Sequence, residues 1–239
     1  AAGYKPEFIA KTGVCYSTED GRLQDRFWGR VIFPVHTVSG KIVAFGGRIL
    51  QNNAKAAKYV NSPESEIYHK SDHLYGLYFA KKAIQQEDYA IMVEGYADVI
   101  SMHQAGIENV VASTGTSLTE GQIRLLSRFT QNITMMYDGD SAGVKAALRG
   151  VDLILRENMN VKVVLLPEEH DPDTFARAHS SDELRAYIKE QAQDFLAFKA
   201  QLLLGDATDP QTRSEAIRDM VQSIALIPDT IKRKEYVKY

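Results

Sequence analysis

Carboxylates recur in this chain where apolar runs stop. "YAIMV" (89–93) runs into Glu94-Gly95, with Asp98 four residues after Glu94; "NITMMY" (132–137) runs into Asp138-Gly139-Asp140; "VKVVLL" (161–166) runs through "PEEH" into Asp171-Pro172-Asp173. A lone D-x-D is usually a solvated turn or a helix cap. Three acidic strand ends on one sheet are different, because ligands bind at the carboxyl edge of an open α/β sheet. Acids crowded there raise one another's pKa values unless cations hold them. Hard, oxygen-seeking Mg²⁺ or Mn²⁺ is the natural counter-charge. The glycine of "DGD" lets the loop fold tightly enough for both aspartates to face one ion. A carboxylate-held pair of ions suits phosphate chemistry, one activating a hydroxyl and the other stabilising the leaving oxygen.

No competing nucleophile presents itself. There is no G-x-S-x-G and no Walker A, and the six histidines show no H-E-x-x-H spacing. His170, beside Asp171, is a candidate for orienting a ligand. The single cysteine, Cys15, forms neither an internal disulfide nor a Cys-rich zinc site, so no zinc is expected. It reads as a buried thiol in a reducing, cytoplasmic setting.

The elements that must carry these acids are legible beyond residue 83. Four β-rich runs, the three above and "NVVAS" (109–113), each precede a stretch of helical spacing, at roughly 97–105, 119–129, 142–157 and 174–190. That alternation predicts a parallel sheet covered by helices on both faces. Ser117 or Thr119 is the expected cap of the second helix. Residues 1–82 read as α+β: "RVIFPVHTVSGKIVAFGGRIL" (30–50) is a hairpin turning at Ser39-Gly40, Gly46-Gly47 marks a bend or a close backbone approach, and 51–66 is a polar loop. From 181 the chain reads as purely helical. The expected units are 1–82, 83–180 and 181–239. With 44% hydrophobic residues the chain buries a substantial core, and no apolar run reaches membrane-spanning length, so no membrane partner is expected. It opens on "AAGYKPEF" without a Met, which reads as an excised fragment.

Charge is divided. Residues 1–82 carry 12 Lys and Arg against 7 Asp and Glu, whereas 83–239 carry 16 against 24, within a net charge of −3. A basic wall facing an acidic cluster would let polyanions approach carboxylates that otherwise repel them.

The string "VEGYADV", "TGTSLT", "YDGDSAG" and "DPDTF" resembles a TOPRIM domain, the metal-binding module of primases and topoisomerases. Upstream, "RFWGRVIFPV", "GKIVAFGGRIL", "KYVNSPES" and "IYHKSDHLYGL" narrow the resemblance to the RNA polymerase domain of bacterial DNA primases of the DnaG type, over residues 22–180. The resemblance implies a TOPRIM domain with a central parallel sheet flanked by helices, after a basic α+β subdomain and before a helical one. It implies a DNA-directed RNA polymerase, a nucleotidyltransferase making short RNA primers from NTPs on a single-stranded DNA template in the bacterial replisome. Glu94, Asp138 and Asp140 become the catalytic acids, and Glu94, Asp98, Asp138, Asp140, Asp171 and Asp173 the metal set. Arg48, Lys58, Asn61, Lys70 and Tyr96, with Arg26 and Arg30, become nucleotide or template contacts. Tyr59 is a base-stacking candidate, while Phe27, Trp28 and Tyr75 read as core. The replicative helicase is expected to dock through a domain absent here, and monomer is the default state. Two rivals stay open: a TOPRIM nuclease or topoisomerase fragment that cleaves DNA, and a non-catalytic single-stranded DNA-binding module. Acids facing a phosphate backbone argue against the second, since a pure binder gains nothing from them.

Overall fold

A computed structural model describes the chain apart from residues 1–2, 51–55, 114, 116, 140 and 206–208 and the side chains of Ser141 and Ala142. The basic first third opens with α1 (Pro6–Lys11) and a short antiparallel pair, β1 (Cys15–Ser17) and β2 (Leu23–Asp25). The expected hairpin follows as β3 (Arg30–His36) and β4 (Ile42–Ile49), antiparallel with Phe33 opposite Gly46 and Val31 opposite Arg48. The expected loop over 51–66 is only partly one. Tyr59–Asn61 forms β5, because the far edge of β4 leaves backbone groups that this segment satisfies, Gly46 opposite Asn61 and Arg48 opposite Tyr59.

Next come α2 (Leu77–Glu87), β6 (Ala90–Val93), α3 (Tyr96–Gln104), β7 (Val110–Ala112), α4 (Glu120–Leu126), β8 (Asn132–Tyr137), α5 (Ser141–Arg156) and β9 (Asn160–Leu165). The four strands are parallel, and all four residues of β6 are buried, as a strand covered on both faces requires. Thr119 caps α4: its hydroxyl accepts from the Gln122 amide while the Gln122 side chain accepts from the Thr119 amide.

The single helix expected over 174–190 is two, α6 (Pro172–Ala178) and α7 (Ser181–Gln191). Ser180 starts the second one, accepting from the Glu183 amide while Glu183 accepts in return from the Ser180 amide. Nor is the tail purely helical. Gln193–Asp194 forms β10, pairing antiparallel with the open edge of β9, before α8 (Phe195–Leu204), α9 (Pro210–Ala225) and α10 (Thr230–Lys238). Among the described residues the sheet order is β10-β9-β8-β6-β7.

Strand alternation divides the core. Ala90, Met92, Ile133 and Met135 point to one face, packed with residues of α2, α4, α5, α8 and α9. Ile91, Val93 and Met136 point to the other, packed with α3, α6 and α7. Helix α2 spans the expected boundary at 82 and buries Leu77, Ala80 and Ile84 against the sheet. The closing helices are tied to the sheet domain by one buried cation. Lys199, 1% exposed, donates to Asp219 and Ser223 of α9 at 2.7 and 2.6 Å and meets Asp152 of α5 at 3.4 Å. Breaking such a buried set by removing one partner strongly destabilises a fold.

The antiparallel β3-β4-β5 sheet is pinned to the parallel domain by Tyr96. Its ring is 3% exposed, stacks on Phe33 with centroids 4.9 Å apart and meets Tyr75 edge-on at 4.7 Å. Gly46 makes room for it, since a Cβ there would lie 2.4 Å from Tyr96 Cζ. Gly46→Ala is therefore expected to destabilise the protein by about 1–3 kcal/mol, read as a lower urea midpoint. An unchanged midpoint would contradict this packing.

Candidate active site

Glu94 and Asp138 stand at the carboxyl ends of two neighbouring strands of the parallel sheet. Glu94 follows β6 and is exposed; Asp138 follows β8, the neighbouring strand, and is half-buried. Both line one cavity of about 610 Å³ with Ser113, Ser117 and Arg149. Gly139 lets the β8 end press on its neighbour, since a Cβ there would lie 2.2 Å from the Leu166 carbonyl oxygen just past β9. Asp140 lies outside the described residues.

Asp98 sits in the first turn of α3, where its Oδ2 accepts from the Gly95 amide at 2.8 Å. Burial pushes its carboxyl up from 3.8 to about 6; the Gly95 amide opposes this, and the negative charges of Asp171, Asp138 and Asp173 add to it. Asp98 thus feels three other predicted acids, which come from two further segments of the chain. Asp171 caps α6, its Oδ1 accepting from the Thr174 amide at 2.8 Å and from the Thr174 hydroxyl at 2.7 Å. Burial would raise this carboxyl, but those hydrogen bonds and the positive charge of Lys58 hold it below its ordinary value. Asp173 accepts from Arg177 Nε at 2.7 Å and from the Ser101 hydroxyl.

Those contacts lead to a second cavity, also of about 610 Å³, on the α3 and α6 side of the same edge. Arg48, Lys58 and Arg177 line it with Ser101, over an apolar wall that includes Val31, Phe33, Leu50 and Ile100. The guanidinium of Arg48 lies over the Tyr59 ring at 5.8 Å. Cations beside an apolar wall suit a ligand with phosphates at one end and a flat base at the other.

The remaining predicted contacts are placed differently. Tyr96 is buried, with its hydroxyl donating to Asn61 Oδ1 at 2.9 Å, so both act at the joint between the sheets. Arg30 donates from Nη1 to the carbonyls of Ala57 and Gly47 at 2.9 and 3.2 Å, bracing β5, and Arg26 Nε donates to the Gly13 carbonyl at 2.9 Å. Lys70 sits in a 3₁₀ turn (Lys70–Asp72) whose carbonyl accepts from Gln122 Nε2, beside the end of β7. Trp28, expected in the core, is 84% exposed at a turn, whereas Phe27 is buried. The Phe27 ring fills the space that Gly47 leaves, and the neighbouring residue is forced outward. Sequence reasoning missed Arg149, Arg177 and Ser101. The i, i+4 spacing of Asp173 and Arg177 was the available signal for one of them.

Among the described residues no three Asp, Glu, His or Cys side chains close on a common metal-binding point. The chemistry of the set nonetheless fits a divalent cation: its donors are hard carboxylate oxygens, and a cation would offset both the burial that raises Asp98 and the neighbouring negative charges that add to it. Among the described residues no helix is long and apolar enough to cross a membrane.

Comparison with known proteins gives the same frame. A family model described as the DNA primase catalytic core, N-terminal domain, matches residues 1–81; a Toprim-like model matches 91–176; a model described as the DnaB-helicase binding domain of primase matches 198–239. The last match overturns the expectation that the helicase-docking part is absent here, since it lies on α8 to α10. Its signal was not legible because those helices carry no motif of charged or metal-ligating residues that would mark a docking surface. A DNA primase of Halalkalibacterium halodurans is 38% identical over 92% of this chain and 37% of its own length. The chain spans less than half the length of such curated relatives. A solved DNA primase domain from Pseudomonas aeruginosa is 36% identical, covering 99% of this chain and 75% of that one, with a TM-score of 0.88. A DnaG primase catalytic domain solved bound to single-stranded DNA is 35% identical, covering 99% and 78%, with a TM-score of 0.86. With its three matched segments in primase order and its fold shared with primase catalytic domains almost along its whole length, the chain belongs to the bacterial DnaG-type DNA primases.

Proposed function

We propose that this chain makes short RNA primers from NTPs on single-stranded DNA at a bacterial replication fork, in the cytoplasm, as a monomer. The observation that carries the reading is the acid set at the sheet edge with a cation-lined groove beside it. Glu94 and Asp138, with Asp140, would hold Mg²⁺ or Mn²⁺, and Asp98, Asp171 and Asp173 would complete the negative field. When bound, such ions neutralise charge on the reacting phosphate and favour the ionised form of the attacking hydroxyl. The protein's own part is positioning. Arg48, Lys58 and Arg177 would bind the triphosphate of the incoming nucleotide, and their charge would offset what gathers on the leaving pyrophosphate. The 3′ oxygen of one nucleotide bonds to the α-phosphorus of the next, the α–β bridging bond breaks, and pyrophosphate departs with the electron pair. No side-chain general base is assigned. The basic first third would carry the template, whose relative was solved with single-stranded DNA. The segment matched by the helicase-binding model would dock the replicative helicase.

Asp138→Asn is expected to lower primer synthesis at least about 100-fold with the melting temperature within a few degrees of the parent. Primer yield near the parent's would defeat the assignment, and cut DNA in place of RNA would favour the nuclease reading. Binding of DNA with no metal-dependent product would favour the binding module.

Asp98 supplies a test in the absence of divalent ions. Its carboxyl is raised in the fold, so the stability linked to it is full below about pH 4 and is lost as pH rises through about 6. Asp98→Asn in EDTA is therefore expected to be more stable than the parent by about 1–2 kcal/mol at pH 7.5, with the difference gone near pH 4. Thermal melts across that range check it, and a variant less stable at pH 7.5 would contradict it.

Trp28 is the only tryptophan of the chain and is 84% exposed on the basic subdomain. A stacked base is worth about 1–3 kcal/mol. Oligo-dT is expected to quench its fluorescence, and Trp28→Ala to weaken binding about fivefold or more. Unchanged emission at saturating DNA would remove Trp28 from the template path.

A further inference from the structure

The carboxyl edge of the sheet is flanked by two cavities of equal size. One lies on the α3 and α6 side, with Arg48, Lys58 and Arg177; the other lies on the α4 and α5 side, with Arg149, Ser113 and Ser117. Glu94 and Asp138 stand on the wall of the second. Each volume, about 610 Å³, is in the range that holds a small organic ligand. Arg149 is exposed on α5, and its guanidinium joins none of the ion pairs found among the described residues. Tyr137 lines the same cavity, and its phenol feels the negative charge of Glu94 and the positive charge of Arg149 at once.

Starting a chain from monomers needs two nucleotides at the same centre. One offers its 3′ hydroxyl; the other offers its α-phosphate. The bond formed is 3′-oxygen to α-phosphorus, the bond broken is the α–β bridge, the electron pair leaves on pyrophosphate, and the hydroxyl proton passes to water. Charge develops on the nucleotide that loses pyrophosphate, which suits the cavity with three cations. The triphosphate of the first nucleotide is not broken and needs only to be held.

We propose that the cavity beside α5 is a second nucleotide subsite, in which Arg149 binds the 5′-triphosphate of the nucleotide that starts a chain. The assignment rests on the primase reading above and adds a residue and a place to it. A starter lacking that triphosphate should then bypass Arg149.

The experiment compares two reactions of the full chain on oligo-dT with Mg²⁺. In one, ATP alone starts and extends the product. In the other, the 5′-hydroxyl dinucleotide ApA is supplied as starter. Arg149→Ala is expected to raise KM for ATP in the first reaction by about tenfold to a hundredfold, with a loss of less than about threefold in the second, since charge-assisted contacts act only where the triphosphate is present. Arg149→Lys should recover part of the first reaction. Arg149→Gln carries the same comparison should the alanine variant melt lower than the parent. Equal losses in both reactions, or no loss in either, would overturn the subsite. A parent that makes RNA in neither reaction would overturn the primase reading itself, and the subsite with it.

Discussion

Mutual repulsion among carboxylates is the interaction around which this molecule is organised. Glu94, Asp98, Asp138, Asp171 and Asp173 come from the segment after β6 into α3, the turn after β8 and the start of α6, three separate stretches of the chain. The Asp98 carboxyl is raised first by burial, and the charges of Asp171, Asp138 and Asp173 add to that rise. Part of this repulsion is met locally. The Gly95 amide serves Asp98, Thr174 serves Asp171, and Arg177 with Ser101 serves Asp173. Glu94 and Asp138 line a cavity wide enough to admit a divalent ion and a phosphate.

The second constraint is the joint that brings cations to those acids. A parallel sheet with helices on both faces has no basic wall of its own. The β3-β4-β5 sheet provides one, and Tyr96 decides where it sits. The ring reaches from the first turn of α3 into the space left by Gly46, stacks on Phe33 and donates to Asn61. Arg48 stands two residues along β4 from Gly46, and Lys58 immediately precedes β5. Their placement in the groove, and the reach of Lys58 toward Asp171, follow from that aromatic contact. A buried stack is stiff and apolar, so it holds the two charged surfaces at a fixed spacing without adding charge of its own.

Much of this was legible from residue order alone. The four parallel strands, the hairpin at 30–50 and the helices after each strand follow from period-2 and period-3.6 patterns, which are local. The acidic strand ends were legible because a parallel sheet puts every such end on one edge. What escaped was set by distant contacts. The family motif implies Tyr96 as a nucleotide contact, and nothing local announces that its ring packs on Phe33 and Tyr75. Trp28 read as core because it is large and apolar, yet Phe27 fills the space under Gly47 and leaves Trp28 outside. β5 and β10 are only a few residues long, too short for a period, and exist because neighbouring strands offer open edges. Arg177 and Arg149 look like ordinary helix-surface cations until the cavities they line are known.

The central claim is that acids from separate segments converge to hold divalent ions for nucleotide joining. Crystals grown with Mn²⁺ and a non-hydrolysable NTP, measured at the manganese absorption edge, test it most directly. The account predicts anomalous density between Glu94 and Asp138, with the triphosphate reaching toward Arg48 and Lys58. Fully occupied nucleotide with no manganese at the carboxylates, or manganese bound only elsewhere, would contradict it.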